Sequence, residues 1–378
     1  MARIDPKELL KALVGVDSVS HLPNAPLVDL LEDRLRTLGF ATERFPYRDP
    51  QGVEKVNLVS RAGPAREGNA GLALVGHTDT VPYDRTWGAA LTLTARDGKL
   101  YGRGACDTKG FIACALAAAS RVDLRALREP LFVALTADEE VGCLGAKELL
   151  RRGALRPRHA IVGEPTELRP IRAHKGYCLG EIVVRGVEGH SAYPARGESA
   201  IFGAGELLRG LEALAAELAR GGDPAFDPPQ TTLNVGLVSG GKAKNIVPGE
   251  CRLTLEWRPV PGDRLDAVAG RVRELCAELV RARPRLSAAL NVSRTDAGAS
   301  TPPGAELVRF LEEESGKPAG AVSFGTEAPE LAALGAEPVI FGPGDIRVAH
   351  QTGEFVPEAD LEGCSAILER AISRFCGS

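Results

Sequence analysis

Short apolar runs that alternate with helical patterns constrain the fold more than any other feature of the sequence. The later runs lack polar alternation, as expected of strands that are covered on both faces. Helical patterns occur at 109–120, 142–152 and 305–315. This alternation predicts an α/β fold with a mostly parallel sheet and helices on both faces. The strands predicted for this sheet are 40–47, 56–61, 71–76, 131–136, 159–163 and 338–341.

Histidine and acidic side chains lie at the points where strands should end, most of them after these runs and Asp107 after Gly102-Arg103-Gly104. In open α/β sheets the loops at the carboxyl ends of strands meet in one crevice, so residues far apart in sequence can converge there. A single site of imidazoles and carboxylates is therefore the simplest interpretation. Its candidate residues are His77, Asp79, Asp107, Glu139, Glu140, Glu164 and His350.

A different pattern occupies the middle of the chain. Its predicted order of strand, helix, strand, strand, helix, strand matches the split βαβ unit of ferredoxin-like folds. Because candidate ligands lie both before and after it, we interpret residues 175–295 as an inserted α+β domain. Residues 1–174 and 296–378 then form one discontinuous metal-binding domain. The elements predicted for the insert are strands 181–185, 232–238, 251–257 and 288–293 and helices 198–219 and 263–280.

Composition narrows the classes of function and partner. The chain of 378 residues exceeds a usual single core, and its net charge of −4 gives no electrostatic footprint for nucleic acid. We find no signal-peptide core and no apolar run of about 18 residues, so we expect a cytoplasmic protein without a membrane partner. The eight cysteines show no C-x-x-C spacing, which suits reduced thiols rather than a thiolate zinc site.

A series of short motifs runs in order along nearly the whole chain. They are GHTDTVP at 76–82, GRGACDTKG at 102–110, DEEVG at 138–142, GEPT at 163–166, GHS at 189–191, PARG at 194–197, NIVP at 245–248, TEAP at 326–329, GPG at 342–344 and AHQ at 349–351. The series resembles the dizinc aminoacylase and carboxypeptidase family, and closely its acetylornithine deacetylase branch. One departure is Thr108, where many relatives carry Met, and this residue is not a ligand.

The resemblance implies a zinc-peptidase-like fold in which the insert serves as a lid and dimerisation domain. It also implies two zinc ions, with cobalt as an alternative. A pair of ions needs one bridging carboxylate and two terminal ligands for each ion. By similarity Asp107 bridges, His77 and Glu164 complete one ion, and Glu140 and His350 complete the other.

Two further carboxylates can be interpreted from their positions. Asp79 follows His77 by two residues and cannot easily share its metal from an extended strand end, so we expect its carboxylate to accept the other imidazole N–H. Glu139 and Glu140 are adjacent and can point different ways in a loop. Zinc lowers the pKa of a bound water toward about 7. We therefore predict that Glu139 is the general base and acid, which takes the proton and later delivers it to the leaving amine.

The resemblance also implies roles for residues of the insert. His190 would reach a neighbouring active site across a homodimer interface and stabilise the oxyanion, and the alternative is a structural histidine. Asn245 and Arg258 resemble groups that hold a substrate α-carboxylate, for which the planar fork of arginine is suited. An ion pair within the domain is the alternative for Arg258. Thr326 and Glu327 stay open between substrate contact and shaping of a loop.

The function implied by the resemblance is hydrolysis of an acylated amino acid at its α-nitrogen. N-acetylornithine, an intermediate of arginine biosynthesis, is the first candidate substrate. Succinyl-diaminopimelate, N-acetylcitrulline and dipeptides stay open, because the pockets for them differ in only a few residues. A non-catalytic zinc-binding protein is the alternative from another class. It would need a damaged base or ligand, whereas Glu139 and all the proposed ligands are present.

Overall fold

The computed structural model of the protein describes residues 3–377. None of the helices in this range has the length and apolar character that crossing a membrane requires. The helices are α1 Pro6–Val14, α2 Ala25–Leu38, α3 Lys109–Arg121, α4 Leu144–Arg152, α5 Ala200–Leu218, α6 Ala267–Ala282, α7 Glu306–Ser315, α8 Ala328–Ala333 and α9 Glu358–Cys376, with 3₁₀ turns at Pro194–Arg196 and Ile346–Val348. The strands are β1 Ala41–Arg48, β2 Glu54–Ala62, β3 Leu72–His77, β4 Thr94–Arg96, β5 Lys99–Tyr101, β6 Leu131–Thr136, β7 His159–Val162, β8 Ile171–His174, β9 Tyr177–Arg185, β10 Gly189–His190, β11 Thr232–Gly240, β12 Ile246–Val247, β13 Glu250–Arg258, β14 Ser287–Asp296, β15 Ala299–Ser300, β16 Gly320–Val322, β17 Glu337–Ile340 and β18 Phe355–Pro357.

The chain forms two compact units. The first contains the chain up to Ala173, the segment Thr301–Gly320 and the chain from Thr326 onwards. The second contains His174–Ser300 and Ala321–Gly325. The domain predicted over residues 175–295 lies inside the second unit, which also takes in a short piece of chain after α7.

The large sheet of the first unit is mixed. Its strand order is β1-β2-β6-β3-β7-β17-β8. The central strands β6, β3, β7 and β17 are parallel, whereas β1, β2 and β8 pair in antiparallel fashion with their neighbours. Only a short turn separates β1 from β2, and a turn of this length can join only antiparallel strands. The predicted α/β class is therefore correct, while parallel pairing is confined to the centre of the sheet.

The register of the parallel strands fixes where the candidate ligands lie. Leu74 of β3 pairs with Val133 of β6 on one side and with Ile161 of β7 on the other. All residues of these three strands are buried, which explains their uninterrupted apolar sequences. Because the strands run in the same direction and in step, the loops that follow them leave the sheet at one edge.

Helix α3 connects this edge to the core. Thr108, just before the helix, donates its hydroxyl to the carbonyl oxygen of Gly163 at 2.9 Å. A Cβ atom at Gly163 would lie 2.1 Å from Cδ1 of Phe111, so the close approach of α3 to the end of β7 requires glycine. The positions of Asp107 and Glu164, each one residue away from this contact, are thereby tied together.

The second unit has the strand-helix order that the sequence predicts. Its antiparallel sheet has the order β11-β13-β9-β14, and α5 and α6 pack against it. This is the arrangement of a split βαβ unit. Buried and half-buried residues alternate along β13, because helices cover one face of the sheet. Strands β11 and β14 form its edges.

Candidate metal centre and active site

Asp107 faces two imidazoles, one with each carboxylate oxygen. His77 Nε2 lies 2.9 Å from Asp107 Oδ1, and His350 Nε2 lies 3.2 Å from Asp107 Oδ2. Asp107 and His77 are buried, whereas the side chain of His350 is half exposed. A carboxylate that presents its two oxygens to separate nitrogen ligands has the form expected of a bridging ligand.

Two overlapping groups of donor atoms surround His77. The ligand atoms of His77, Asp107 and Glu140 lie within 4.8 Å of one another, and so do those of His77, Glu139 and Glu164. Glu140 Oε1 also lies 3.1 Å from His350 Nε2. Nitrogen and carboxylate donors at this spacing suit zinc and other divalent first-row ions. The second group contains Glu139, the predicted general base.

The electrostatics of the cluster favour cations. Burial raises the pKa of Glu164 well above its usual range, and the charge of Asp107 raises it further. Burial likewise raises the pKa of Glu139 well above its usual range, and repulsion from Glu140 adds to the effect. Each carboxylate thus opposes ionisation of its neighbours. Divalent cations would offset this repulsion, so the residues present fit a metal centre.

The imidazoles respond to the same negative potential. Hydrogen bonds with Asp107 and Glu140 raise the pKa of His350 to about 10. Burial lowers the pKa of His77, but contacts with Asp107 outweigh this and hold it well above its ordinary value. The pKa of Asp107 is lowered although burial opposes the change, because both imidazoles hydrogen-bond to its carboxylate.

Asp79 contacts His77 in a different way from the one we predicted. Nδ1 of His77 lies 2.9 Å from the backbone carbonyl oxygen of Asp79 and 3.7 Å from its carboxylate Oδ1. The backbone carbonyl of Asp79 therefore fixes which nitrogen of the His77 imidazole carries the proton. The carboxylate instead accepts hydrogen bonds from the backbone nitrogens of Glu139 at 3.1 Å and Glu140 at 3.3 Å, and from the Ser20 hydroxyl at 2.8 Å. Asp79 thus anchors the loop that carries the two glutamates.

Buried polar residues that sequence reasoning missed anchor the other side of this loop. Asp138 forms an ion pair with Lys55 at 2.9 Å, in which both side chains are buried, and accepts a hydrogen bond from Tyr47 at 2.8 Å. Asn57 binds the loop backbone at both ends, at the nitrogen of Ala137 and the carbonyl oxygen of Gly145. The available signal was a lysine and an asparagine in the sequence of β2, a strand whose residues are mostly buried.

Glu354 organises the loop that carries Asp107, and it too was missed. Its buried carboxylate accepts hydrogen bonds from the backbone nitrogens of Gly104, Cys106 and Asp107 at 2.9–3.1 Å. It also forms an ion pair with Arg103 at 2.6 Å. The backbone nitrogen of Asp107 is thus fixed by a residue far along the chain, and no local pattern in the sequence distinguishes Glu354 from a surface acid.

The predicted site residues of the second unit occupy two separate places. Strand β10 pairs with β12, which brings His190 next to Asn245, and both are exposed. His190 Nδ1 accepts a hydrogen bond from the Ala192 nitrogen at 3.0 Å. Arg258 ends β13, whose first residue, Glu250, lies next to the β10–β12 end. A nine-residue strand spans about 26 Å, so Arg258 is far from Asn245 in the same chain.

The remaining candidates have local contacts. Arg258 forms an ion pair with Glu256 at 3.1 Å, which is the contact that our alternative interpretation expected. Thr326 Oγ1 accepts a hydrogen bond from the Ala328 nitrogen at 3.1 Å and so shapes the start of α8. Burial raises the pKa of Glu327 to about 7. Cys143 Sγ lies 3.6 Å from Glu139 Oε1 and adds a contact that the sequence did not suggest.

We predict that Glu354→Ala destabilises the protein and weakens metal binding together. The change leaves Arg103 buried without its carboxylate, which costs about 3–5 kcal/mol, and it frees the Asp107 loop, which lowers metal affinity by about 10–100-fold. Denaturant unfolding and metal titration measure the two effects. Glu358→Ala is the matched control, because its ion pair with Lys7 is exposed and solvent screens most of its attraction. Equal losses in both variants would contradict the assignment of Glu354.

Known proteins resemble this chain over nearly its whole length. An acetylornithine deacetylase of Myxococcus xanthus is 57% identical, and the match covers 97% of each chain. An acetylornithine deacetylase of Proteus mirabilis (strain HI4320) is 37% identical over 98% of this chain and 96% of its own. The resemblance read from the motifs is therefore confirmed.

The fold is shared with more distant relatives. The crystal structure of aminopeptidase PepT from Bacillus cereus ATCC 10987 has a TM-score of 0.79 at 20% identity, covering 98% of this chain and 99% of the other. At the level of sequence, residues 73–374 match the description Peptidase family M20/M25/M40. Since that match spans most of the chain and the curated relatives cover nearly all of it, this chain belongs to peptidase family M20/M25/M40 and is a hydrolase.

Proposed function

We propose that the protein is a dizinc amidohydrolase that converts N2-acetyl-L-ornithine to L-ornithine and acetate in arginine biosynthesis. The observation that carries this proposal is the buried cluster of imidazoles and carboxylates at one edge of the sheet, with Glu139 inside it. The two curated relatives are acetylornithine deacetylases, which supports this substrate over other acylated amino acids.

The donor set supports a division of ligands between two ions. Asp107 would bridge them, His77 and Glu164 would complete one, and Glu140 and His350 the other. We propose zinc, with cobalt as the alternative, because imidazole and carboxylate donors suit both. When bound, such ions polarise the amide carbonyl and lower the pKa of the attacking water.

Glu139 would move the proton during the reaction. Its carboxylate takes a proton from the attacking water at one oxygen and delivers it to the nitrogen of the leaving amine. A base for this task needs a pKa near the working pH, and burial raises the pKa of Glu139 in that direction. Asp79 supports the role indirectly, because it holds the backbone of Glu139 and Glu140.

The residues of the insert would bind the substrate and stabilise the oxyanion. We propose that Arg258 binds the substrate α-carboxylate through its guanidinium and that His190 donates to the developing oxyanion. Asn245 is proposed to contact the substrate beside His190. The distance along β13 favours an arrangement in which the His190 end of the insert and its Arg258 end serve different active sites of a dimer.

Surface properties of the insert support a homodimer. Phe202 is 72% exposed and Leu237 is 68% exposed, and Tyr193, Ile201 and Val238 are exposed as well. Several large exposed apolar side chains on one domain are consistent with a protein interface. Leu237 and Val238 lie on β11, an edge strand with unpaired backbone groups. We therefore propose that a second copy of the chain covers this surface and that the insert serves as lid and dimerisation domain.

The composition of the chain and the proposed reaction indicate its partners and its location in the cell. The partners are a small acylated amino acid and a second copy of the chain, and we propose neither a nucleic acid nor a membrane as a partner. We place the enzyme in the cytoplasm, where the eight buried cysteines would stay reduced.

A substrate panel tests the proposed activity. We expect kcat/KM to be highest for N-acetylornithine and lower for N-acetylcitrulline, succinyl-diaminopimelate and dipeptides, and we expect a chelator to abolish all turnover. Restoring zinc to the chelated protein should restore activity. If another member of the panel has a higher kcat/KM, that compound and not N-acetylornithine is the substrate. Metal uptake without any turnover would favour a non-catalytic zinc-binding protein.

We predict that Glu139→Gln separates metal binding from catalysis. The amide cannot accept the proton, so turnover should fall by about 10²–10⁴, while metal content stays near that of the wild type. Glu140→Gln is the matched comparison, and it should lose metal because Glu140 is a proposed ligand. Metal analysis by mass spectrometry checks both variants. Loss of both ions from Glu139→Gln would make Glu139 a ligand instead.

We predict that two inactive variants regain activity when they are mixed. If His190 serves the neighbouring site, a heterodimer of His190→Ala and Glu139→Gln contains one site with both groups intact. Random exchange makes about half of the dimers mixed, so roughly a quarter of wild-type activity should return. The control mixes two differently tagged preparations of His190→Ala. Heterodimers that form without regaining activity would show that His190 does not act across the interface.

A further inference from the structure

The ring of Tyr177 lies between two guanidinium groups in the second unit. Cζ of Arg258 is 4.7 Å from the ring centroid, and Cζ of Arg294 is also 4.7 Å from it. Tyr177 begins β9, and its two arginine neighbours come from the strands on either side, β13 and β14. The stack therefore spans three adjacent strands, and each of them contributes one member.

Contacts within the unit fix one part of the Arg258 guanidinium and leave another part for a ligand. Nε donates to Glu256 Oε1 at 3.1 Å, and Nη1 donates to the carbonyl oxygen of Ser323 at 3.1 Å. Arginine has five N–H groups. The remaining N–H groups on Nη1 and Nη2 of Arg258 have no hydrogen-bond acceptor among the described residues. They form the edge of the fork that binds a carboxylate with two parallel hydrogen bonds.

Charged groups of both signs surround the stack, because Glu256 pairs with Arg258, Asp296 pairs with Arg294, and Lys175 adds a third cation. Lys175 is buried and donates from Nζ to the carbonyl oxygens of Pro228 at 2.6 Å and Gln230 at 2.7 Å. Burial lowers the pKa of Lys175, and the charge of Arg258 lowers it further. The two arginines would repel each other across a small side chain. An aromatic ring attracts a cation at each face, and so it allows them to lie close together.

We propose that Tyr177 is a positioning residue for recognition of the substrate α-carboxylate. Its ring holds the plane of the Arg258 guanidinium, while Glu256 and Ser323 fix its rotation. A fork that is ordered before the substrate arrives loses less conformational entropy on binding. This inference rests on the proposed function, because it requires that Arg258 binds the carboxylate of an acylated amino acid.

Two substitutions and two substrates test the proposal. Tyr177→Phe keeps the ring, whereas Tyr177→Leu removes it. For N-acetylornithine we expect the Leu variant to raise KM by about two- to thirty-fold with little change in kcat, as loss of a cation–π contact implies. The Phe variant should stay within about twofold of the wild type. For the α-carboxamide of N-acetylornithine, which lacks the charge that Arg258 would bind, kcat/KM of the Leu variant should match that of the wild type.

A second test places Tyr177→Leu in a protein that already carries Arg258→Ala. Tyr177→Leu should have no further effect there, because the group that it positions is gone. Thermal unfolding confirms that each variant is folded. A Leu variant that loses kcat/KM equally on both substrates, or a Phe variant as impaired as the Leu variant, would overturn the positioning role. A wild-type enzyme without activity on either substrate would instead contradict the proposed function.

Discussion

The concentration of negative charge at one edge of the sheet is the constraint on which the surrounding structure depends. His77, Glu140 and Glu164 meet there because β3, β6 and β7 run in step, Asp107 joins them from the start of α3, and burial makes Glu140 and Glu164 costly to ionise beside the other carboxylates. Cations must offset this charge, from the imidazoles or from metal ions. The protein thus uses repulsion between its own side chains to create affinity for divalent ions.

Such a cluster keeps its shape only if the loops that carry it are held from outside. Glu354 with Arg103 and Asp138 with Lys55 are buried ion pairs that do this, the first for the Asp107 loop and the second for the loop of the two glutamates. Their value for stability is limited, because desolvation offsets much of the attraction in a buried pair. Their value for the site is geometric, since each carboxylate also accepts hydrogen bonds that no apolar side chain could accept.

The sequence predicted the parts of this arrangement that depend on local pattern. Apolar runs predicted the central strands, and the residues after them predicted His77, Glu140 and Glu164 as candidate ligands, because strand direction brings those ends together; their role as ligands stays a prediction. It could not predict Glu354, whose partner Arg103 is 251 positions away. It also misplaced the contact of Asp79 with His77, because a backbone carbonyl and a carboxylate of the same residue are equally near in sequence. The outer strands at 40–47 and 56–61 were predicted, but their antiparallel pairing was not, since pairing direction leaves no trace in composition.

The length of β13 limits which residues of the insert can serve the same active site. A strand of nine residues separates the Arg258 end of the unit from the end that carries His190 and Asn245, and neither end can bend toward the other without breaking the sheet. This length supports the proposal that the group which binds the carboxylate and the group which stabilises the oxyanion come from different subunits. In the proposed dimer the exposed apolar side chains of the insert and the polar groups at both ends would have a single explanation, because dimer formation would complete two sites at once.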